Sequence, residues 1–338
     1  MIDLLVVGGG PAGLATAIYG ARAGLEVVVV ERRPLPVDKA CGEGLMPHAV
    51  QQLHRLGAEP AGKPFHGITY IDGDRRVSGR FRSGTGLGVR RTTLHSTLVD
   101  AAKAAGVQIV HDDIVGVSQD ATSVRSGDYR ARYLAAADGL HSPIRSALGL
   151  AQPAPGARRW GIRRHFQITP WSDNVEVYWS RDAEAYVTPV ANDCVGIAIL
   201  TKRRGGFSDH FAEFPALQER VRGSAHDADR AAGPLRQKVR TRTAGRVLLV
   251  GDAAGYVDAL TGEGLGISFS AAELLVKCVV SDHPGDYDRQ WRRMSRRYRM
   301  LTAAVLSASS YAPLRSRIVP VASGLPGVFT TLVNLLAD

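Results

Sequence analysis

The chain has 338 residues, 45% of them hydrophobic and 22% charged, which excludes a mostly disordered chain and favours two packed lobes or one large domain. The net charge is +10, but no helix-turn-helix, zinc-finger or RNA-binding signature accompanies it, so we expect no nucleic acid partner. Three widely spaced cysteines exclude a disulfide framework and show no metal-ligand spacing, so we expect a reducing, cytoplasmic setting and no metal site.

The N-terminal segment has the pattern of a strand, a glycine turn, a helix and a second strand. The apolar run 2–7 stops at the glycine-rich run 8–13, helical periodicity follows as far as Gly24, and the β-branched run 26–30 ends at Glu31. This order predicts a right-handed βαβ unit with a parallel, buried sheet, as in a Rossmann-type α/β fold.

The spacing of the glycines in this unit is that of a dinucleotide-binding turn. Gly8 allows a tight turn, Gly10 lets the backbone approach a pyrophosphate, and Gly13 lets the helix pack closely on the strand. Glu31, at the end of the second strand, can accept hydrogen bonds from ribose hydroxyls. The expected cofactor contacts of this unit are Gly8, Gly10, Pro11, Ala12, Gly13, Glu31 and Arg32. They do not by themselves distinguish NAD from FAD.

Beyond this unit the pattern changes twice along the chain. Helices are expected over 49–56 and 92–105, and strands over 67–81, 107–110, 114–117 and 133–137. Antiparallel strands rich in Trp, Tyr and Val follow over 160–200. The βαβ pattern returns with a strand over 246–252 and a helix over 264–280, and the chain from 286 onward is expected to be helical.

This order predicts an α/β fold in which a β-rich domain is inserted into the Rossmann-type domain. The dinucleotide-binding domain is expected to comprise residues 1–65, 83–150 and 236–285. The inserted substrate domain is expected to comprise 66–82 and 151–235, and 286–338 to form a C-terminal helical segment.

Three further motifs resemble flavoprotein sequences. Residues 247–254 and 262–266 resemble the second FAD fingerprint of glutathione-reductase-type flavoproteins, which implies that Asp252 binds the ribityl chain. Residues 137–145 resemble the Asp-Gly motif of flavoprotein aromatic hydroxylases, geranylgeranyl reductases and flavin-dependent halogenases. Residues 91–98 resemble the helix whose leading arginine contacts FAD. The resemblances imply cofactor contacts at Arg91, Asp138, Asp252, Gly262, Gly264, Leu265 and Gly266, and we also expect one at Val115.

The segment 39–47 resembles the Cys-Gly-Gly-type segment of geranylgeranyl reductases, a branch of the p-hydroxybenzoate hydroxylase-like superfamily. This resemblance implies non-covalent FAD, reduced by NADPH or NADH, and reduction of a double bond in an apolar lipid-, isoprenoid- or quinone-like substrate. The alternative is a monooxygenase that uses NAD(P)H and O2 to hydroxylate a phenolic or polyketide substrate. The Trp-x-Trp-x-Ile-Pro motif of halogenases is absent from the sequence, so we do not expect halogenation.

Two residues are candidates for catalysis. Cys41 lies in the reductase-like segment, where its thiol is either a proton donor at the flavin face or a small buried hydrophobic group. Tyr186 and Pro189 are what remains here of the aromatic-rich motif that geranylgeranyl reductases have in their substrate domain.

The C-terminal segment is apolar. Residues 318–337 carry no charge over about a bilayer-spanning length, but Pro320, Gly324, Pro326 and Gly327 interrupt the run, so we do not expect a transmembrane helix. A buried or surface-lying tail is expected, and peripheral membrane contact through it stays open. The Arg-rich run 292–299 is either a solvated helix face or a site for an anionic membrane or substrate.

Overall fold

The computed structural model describes residues 1–114, 116–154, 156 and 158–337. Its strands are β1 (Ile2–Val7), β2 (Val27–Glu31), β3 (Gly44–Leu45), β4 (Lys63–Phe65), β5 (Gly67–Asp72), β6 (Arg75–Arg80), β7 (Gly86–Gly88), β8 (Gln108–His111), β9 (Ser118–Gln119), β10 (Val124–Ser126), β11 (Tyr129–Ala136), β12 (Ala151–Gln152), β13 (Trp160–Gln167), β14 (Val175–Trp179), β15 (Ala183–Ala191), β16 (Cys194–Thr201), β17 (Arg230–Ala232), β18 (Lys238–Val239), β19 (Thr243–Ala244) and β20 (Val247–Leu249). Its helices are α1 (Pro11–Arg22), α2 (Pro47–Arg55), α3 (Arg91–Ala104), α4 (Pro143–Ala147), α5 (Phe207–Phe211), α6 (Pro215–Arg220), α7 (Gly264–Val280), α8 (Asp286–Met294), α9 (Arg296–Ser310), α10 (Ala312–Arg315), α11 (Ile318–Gly324) and α12 (Pro326–Ala337).

The predicted βαβ unit forms the centre of a parallel sheet. Its main strand order is β19-β20-β11-β1-β2-β8, and β1 pairs in parallel with both β2 and β11. Every residue of β2 is buried, as expected for a strand covered on both faces. Helices α1, α3 and α7 contribute to the apolar core on one face, and a second apolar cluster fills the other. The expected Rossmann-type fold is therefore confirmed.

A second sheet has the order β17-β13-β16-β15-β14-β5-β6. Its long strands are antiparallel neighbours, as the Trp- and Val-rich pattern predicts, whereas β14 and β5 run parallel. Strands β5 and β6 precede α3 in the chain, so the second sheet draws on two separate stretches of sequence. The residue limits given above for the domains stay a prediction.

One predicted strand is wrong in the residues that can be checked. Ile114, Gly116 and Val117 lie outside any strand, and Val115 lies outside the described residues. Gly116 has φ +82°, a conformation that breaks an extended strand, so the neighbouring pairing begins only at Ser118.

The C-terminal helices pack on the second sheet. Phe329 and Val333 of α12 form an apolar cluster with Val77 of β6. Gly79 allows this contact, because a Cβ atom there would lie 3.0 Å from Val333. Within the described part of the chain, no single helix combines the length and apolar content needed to cross a bilayer. The pair Pro313–Gly324 and Pro326–Ala337 passes that test only jointly, with a bend of 106° between them.

Candidate functional site

A cavity of about 320 Å³ lies between the parallel sheet and the second sheet. Its lining includes most of the residues selected from the sequence, namely Gly8, Gly10, Pro11, Ala12, Glu31, Arg32, Cys41, Arg91, Asp138, Tyr186, Asp252, Gly262, Gly264 and Leu265. Gly13 and Gly266 lie behind this lining, and Val115 lies outside the described residues. The structure therefore brings together sites that are far apart in the sequence.

The glycine turn between β1 and α1 is fixed by sterics. Gly8 has φ +106°, and a Cβ atom there would lie 2.4 Å from the carbonyl oxygen of Ala137. A Cβ at Gly13 would lie 1.9 Å from the carbonyl oxygen of Gly8, so α1 approaches the turn as closely as its backbone allows. At Gly10, by contrast, the nearest atom to an added Cβ is Nη2 of Arg91 at 4.0 Å. The space in front of Gly10 is therefore open to a ligand.

Glu31 and His95 hold this turn from two sides. The Glu31 carboxylate, at the end of β2, accepts the Gly9 N–H at 2.8 Å and the Arg33 N–H at 3.0 Å. Nε2 of His95 lies 2.8 Å from the Gly9 carbonyl oxygen. Burial lowers the pKa of His95, which favours a neutral ring that donates from Nε2. His95 lies in the arginine-led motif of α3, but no pattern in the sequence marks it as a site residue.

Arg91 is a buried cation with an unused donor. It is the first residue of α3, its side chain faces Gly10, and its Nε has no hydrogen-bond partner among the described residues. A buried guanidinium is stabilised when an anion lies beside it. The N-terminus of α1 supplies further N–H donors at the same place. The open space at Gly10 and the Arg91 guanidinium, whose Nη2 faces that space, fit the pyrophosphate of a dinucleotide.

Asp252 and Asp138 line the cavity beside the glycine turn and the start of α1. Asp252 begins the second half of the site in a 3₁₀ turn over Gly251–Ala254, and Oδ2 of Asp252 accepts a hydrogen bond from Lys39 Nζ at 2.9 Å. Asp138 accepts the Ile144 N–H at 3.1 Å, and its Oδ1 has no partner in the described part of the chain. Burial raises the pKa of Asp138. The Asp252 carboxylate, whose side chain is one-third exposed, can therefore accept hydrogen bonds from ligand hydroxyls.

Arg145 connects the segment that carries Asp138 to the segment that carries Asp252, and this role was not predicted. Its guanidinium donates to the carbonyl oxygens of Leu140 at 2.8 Å and of Ala253 at 3.2 Å. Lys39, the partner of Asp252, was also missed as a functional residue. Both residues occur inside motifs that the sequence analysis quoted, but no spacing rule assigns them a partner.

The start of α7 presents free N–H groups to the cavity. No side chain caps this helix, and the preceding Gly262 has φ +72°. Burial raises the pKa of Glu263 to about 8, so its carboxyl is mostly protonated at neutral pH and leaves the positive end of α7 uncompensated. Gly266 lies outside the cavity lining, where α7 packs on α2, and a Cβ there would lie 2.9 Å from His48.

The two catalytic candidates lie where the cavity meets the second sheet. Burial raises the pKa of the Cys41 thiol, whose Sγ accepts the Glu43 N–H at 3.4 Å. Tyr186 donates its hydroxyl to the Leu260 carbonyl oxygen at 3.0 Å, and burial together with the charge of Glu184 raises its pKa well above the ordinary value. The Tyr186 hydroxyl is thus already engaged, whereas the Cys41 thiol keeps a proton it can donate.

From this point the cavity extends between the second sheet and α12. We call this part the apolar arm, and its walls are formed by Phe65, Tyr70, Val175, Val177, Val333 and Leu336. Within the described ranges, no group of three or more His, Cys, Asp or Glu side chains is arranged to hold a metal ion. The site therefore joins a polar half to an apolar half.

Comparison with known proteins agrees with this geometry. The family model described as an FAD binding domain matches residues 1–281. The chain is 27% identical to menaquinone reductase of Mycolicibacterium smegmatis, over 86% of this chain and 79% of that protein. It is also 27% identical to digeranylgeranylglycerophospholipid reductase 1 of Methanopyrus kandleri, over 83% of this chain and 82% of that protein.

Among solved structures, a flavoprotein/dehydrogenase from Cytophaga hutchinsonii has a TM-score of 0.85 at 17% identity, covering 99% of this chain and 92% of that one, which shows the same fold. The resemblance to geranylgeranyl reductases and related flavoproteins is confirmed by the relatives. Because the family model covers well over half of its length, the chain belongs to the FAD binding domain family and is an FAD-dependent oxidoreductase.

Proposed function

We propose that the protein reduces a carbon–carbon double bond in an apolar lipid-, isoprenoid- or quinone-like substrate, with NADPH or NADH as electron donor. The observation that carries this proposal is the apolar arm, which opens directly from the half of the cavity that fits FAD. An elongated hydrocarbon gains about 25 cal/mol for each Å² that it buries there. The names of the two reductases given above support this choice over hydroxylation.

The residues of the site have separate tasks in such a reaction. Gly10, the start of α1 and Arg91 would bind the FAD pyrophosphate, Glu31 the ribose and Asp252 the ribityl chain. Bound FAD supplies hydride transfer. The walls of the apolar arm exclude water and orient the double bond. Cys41 holds a proton at Sγ for the carbon next to the one that accepts hydride, and solvent then returns a proton to the thiolate.

The test is steady-state oxidation of NADH and NADPH, with and without oxygen, over a panel of polyprenyl lipids, quinones and phenols. We expect reduced product to form under anaerobic conditions with an isoprenoid or quinone. Product that forms only when oxygen is present, with an added hydroxyl group, would overturn reduction and establish the monooxygenase alternative. Oxygen consumption that yields hydrogen peroxide and no product would exclude the substrate being tested.

We further propose peripheral membrane contact through an exposed apolar face of α11 and α12. We call it the lipid face, and its residues are Val321, Leu325, Val328, Leu332 and Leu335. Val321, Leu325 and Val328 are each more than half exposed, while Val333 on the opposite side of α12 lines the apolar arm. The net charge of +10 favours an anionic bilayer surface.

The double substitution Val328→Ser and Leu332→Ser should weaken binding to anionic phospholipid vesicles about tenfold or more, because two apolar side chains no longer enter the interface. Co-sedimentation with vesicles measures this directly. Val280→Ser removes an exposed apolar side chain at the end of α7 and serves as the control that should bind normally. Equal binding of all variants would contradict the assignment of the lipid face.

A further inference from the structure

We propose that Glu43 and His165 form a clamp that fixes Cys41 and Arg91 relative to each other. Glu43 lies two residues after Cys41, and its side chain reaches both β13 and the first turn of α3. Both members of the clamp are positioning residues, since they act through Cys41 and Arg91. The consequence for turnover rests on the proposed function, in which Cys41 is the proton donor, but the geometry of the clamp does not.

The backbone of Glu43 has to be held in place by its surroundings. Its φ is +59°, in the left-handed region that costs a non-glycine residue about 1 kcal/mol or more. The Glu43 carbonyl accepts the Val89 N–H at 2.9 Å, and Thr188 Oγ1 donates to the Gly42 carbonyl at 2.8 Å. This bend lets the thiol of Cys41 line the cavity while the Glu43 side chain turns into the protein.

The Glu43 carboxylate is buried between two hydrogen-bond donors, and Nε of Arg163 lies 3.8 Å from Oε1. Oε1 accepts the backbone N–H of Arg91 at 2.8 Å, and Oε2 lies 2.6 Å from Nε2 of His165. The side chains of Glu43 and His165 are each only 1% exposed. A carboxylate this deeply buried is stable only with close, well-directed partners. One side chain therefore ties the Cys41 segment to α3 and to the second sheet at once.

The other nitrogen of His165 faces a second carboxylate. Nδ1 lies 2.6 Å from Oδ2 of Asp227, and the His165 backbone N–H donates to Oδ1 of the same residue at 2.8 Å. Both ring nitrogens of His165 thus lie within hydrogen-bonding distance of carboxylate oxygens. Although partial burial opposes it, hydrogen bonding from His165 lowers the pKa of Asp227.

Two arginines complete the surroundings of His165. Nη1 of Arg163 lies 2.9 Å from Nδ1, and Nη2 of Arg90 lies 3.3 Å from it. Nδ1 cannot both donate to Asp227 and accept from a guanidinium, and the shorter contact with the carboxylate decides for donation. Asp38 holds Nη2 of Arg163 at 2.5 Å and is itself paired with Arg230 near the surface. Both guanidiniums also pair with Asp227, Arg90 at 3.3 Å and Arg163 at 3.4 Å, so their charges are balanced by the carboxylates around the clamp.

The sequence of β16 provides an independent sign of the clamp. Gly196 is the register partner of His165, in the middle of a fully buried strand. A Cβ atom at Gly196 would lie 3.0 Å from Oε2 of Glu43 and 3.5 Å from the His165 ring. Glycine weakens a strand interior, so its presence here corresponds to the space that the Glu43–His165 contact requires.

The experiment measures how fast iodoacetamide alkylates Cys41 at one fixed pH in the FAD-loaded protein, with Cys194 and Cys278 separated by mass spectrometry. Glu43→Ala should raise the rate of Cys41 alkylation about tenfold or more, because the segment loses its anchor. In the proposed reaction it should lower kcat about tenfold and leave KM within about threefold. Glu43→Gln should stay within about threefold of the parent, because its amide can accept from Arg91 and donate to a neutral His165.

Glu176→Gln is the matched control. Glu176 is a buried acid of the same sheet, bound by Arg76 at 3.2 Å and by Trp171 at 2.9 Å. Because its strand neighbours Val175 and Val177 line the cavity, the Glu176 side chain points away from the cavity. In this variant, the rate of Cys41 alkylation and the turnover should match those of the parent protein.

An unchanged alkylation rate in Glu43→Ala would overturn the clamp. The clamp would also be overturned if Glu43→Gln raised the alkylation rate as much as Glu43→Ala does. If Glu43→Ala does not fold, Gly196→Ala replaces it, since its methyl group should wedge the contact open and raise alkylation; no rise would overturn the clamp. Alkylation needs no substrate. Faster alkylation of Cys41 in Glu43→Ala, with no turnover in any variant, would therefore refute only the proposed reaction. Turnover of the parent without that change in alkylation would refute only the clamp.

Discussion

Replacing Gly10 with alanine is expected to lower the affinity for FAD by about 100-fold or more while the apo-protein keeps its stability. The methyl group meets no atom of the protein closer than 4.0 Å, so folding is not obstructed. It does occupy the space in front of α1 where a pyrophosphate would approach the backbone. Losing two hydrogen bonds to a charged group, at about 1.5–3 kcal/mol each, corresponds to this loss of affinity.

Titration of apo-protein with FAD, followed by flavin fluorescence, measures the affinity, and thermal unfolding measures the stability. Gly285→Ala is the matched control, because Gly285 also precedes a helix and an added Cβ there has no neighbour within 4 Å. It should bind FAD normally. A Gly10→Ala protein that is purified yellow at full occupancy would show that the phosphates bind elsewhere.

Replacing Cys41 with serine or alanine is expected to leave FAD bound and to lower kcat by about 100-fold or more, the usual contribution of a positioned proton donor. Burial raises the pKa of the thiol above its ordinary value of 9.0, so the proton stays on sulfur across the neutral range. The rate in the parent protein should therefore be full below that raised pKa and fall as the pH increases through it. The Cys41→Ser variant should lose this alkaline decline.

The measurement is the pH dependence of kcat under anaerobic conditions, together with the FAD content of each variant. Cys278→Ala, a buried cysteine on α7 outside the cavity lining, is the control and should retain turnover within about twofold. Kinetics that do not change in Cys41→Ser would leave the thiol a packing group.

The parts of the fold that local patterns specify were predictable. The run of glycines between two β-branched strands predicted β1, α1 and β2 closely, because steric rules constrain such a turn tightly. The helix over 264–280 was predicted at its observed bounds. The strand over 114–117 failed because one glycine with positive φ outweighed the β propensity of its neighbours.

The site was predictable only in its cofactor-binding half. Most of the residues chosen from motifs line one cavity, but the contacts of Glu43 with His165 and of Lys39 with Asp252 join residues 122 and 213 positions apart. Such pairs depend on how the two sheets pack, and neither residue type nor spacing encodes that. The apolar arm was hidden for the same reason, since its walls come from β4, β5, β14 and α12.

The passage of the chain between the two sheets has a consequence for biosynthesis. Ile68 of β5 pairs with Val175 of β14, and β20, which precedes Asp252, is the last strand to join the parallel sheet. A nascent polypeptide therefore cannot assemble the FAD cradle until residues as far as 265 have left the ribosome. Free FAD can then stabilise only molecules that contain both halves of the cradle by mass action, so a cell short of riboflavin should accumulate less of this protein even when its messenger RNA is unchanged.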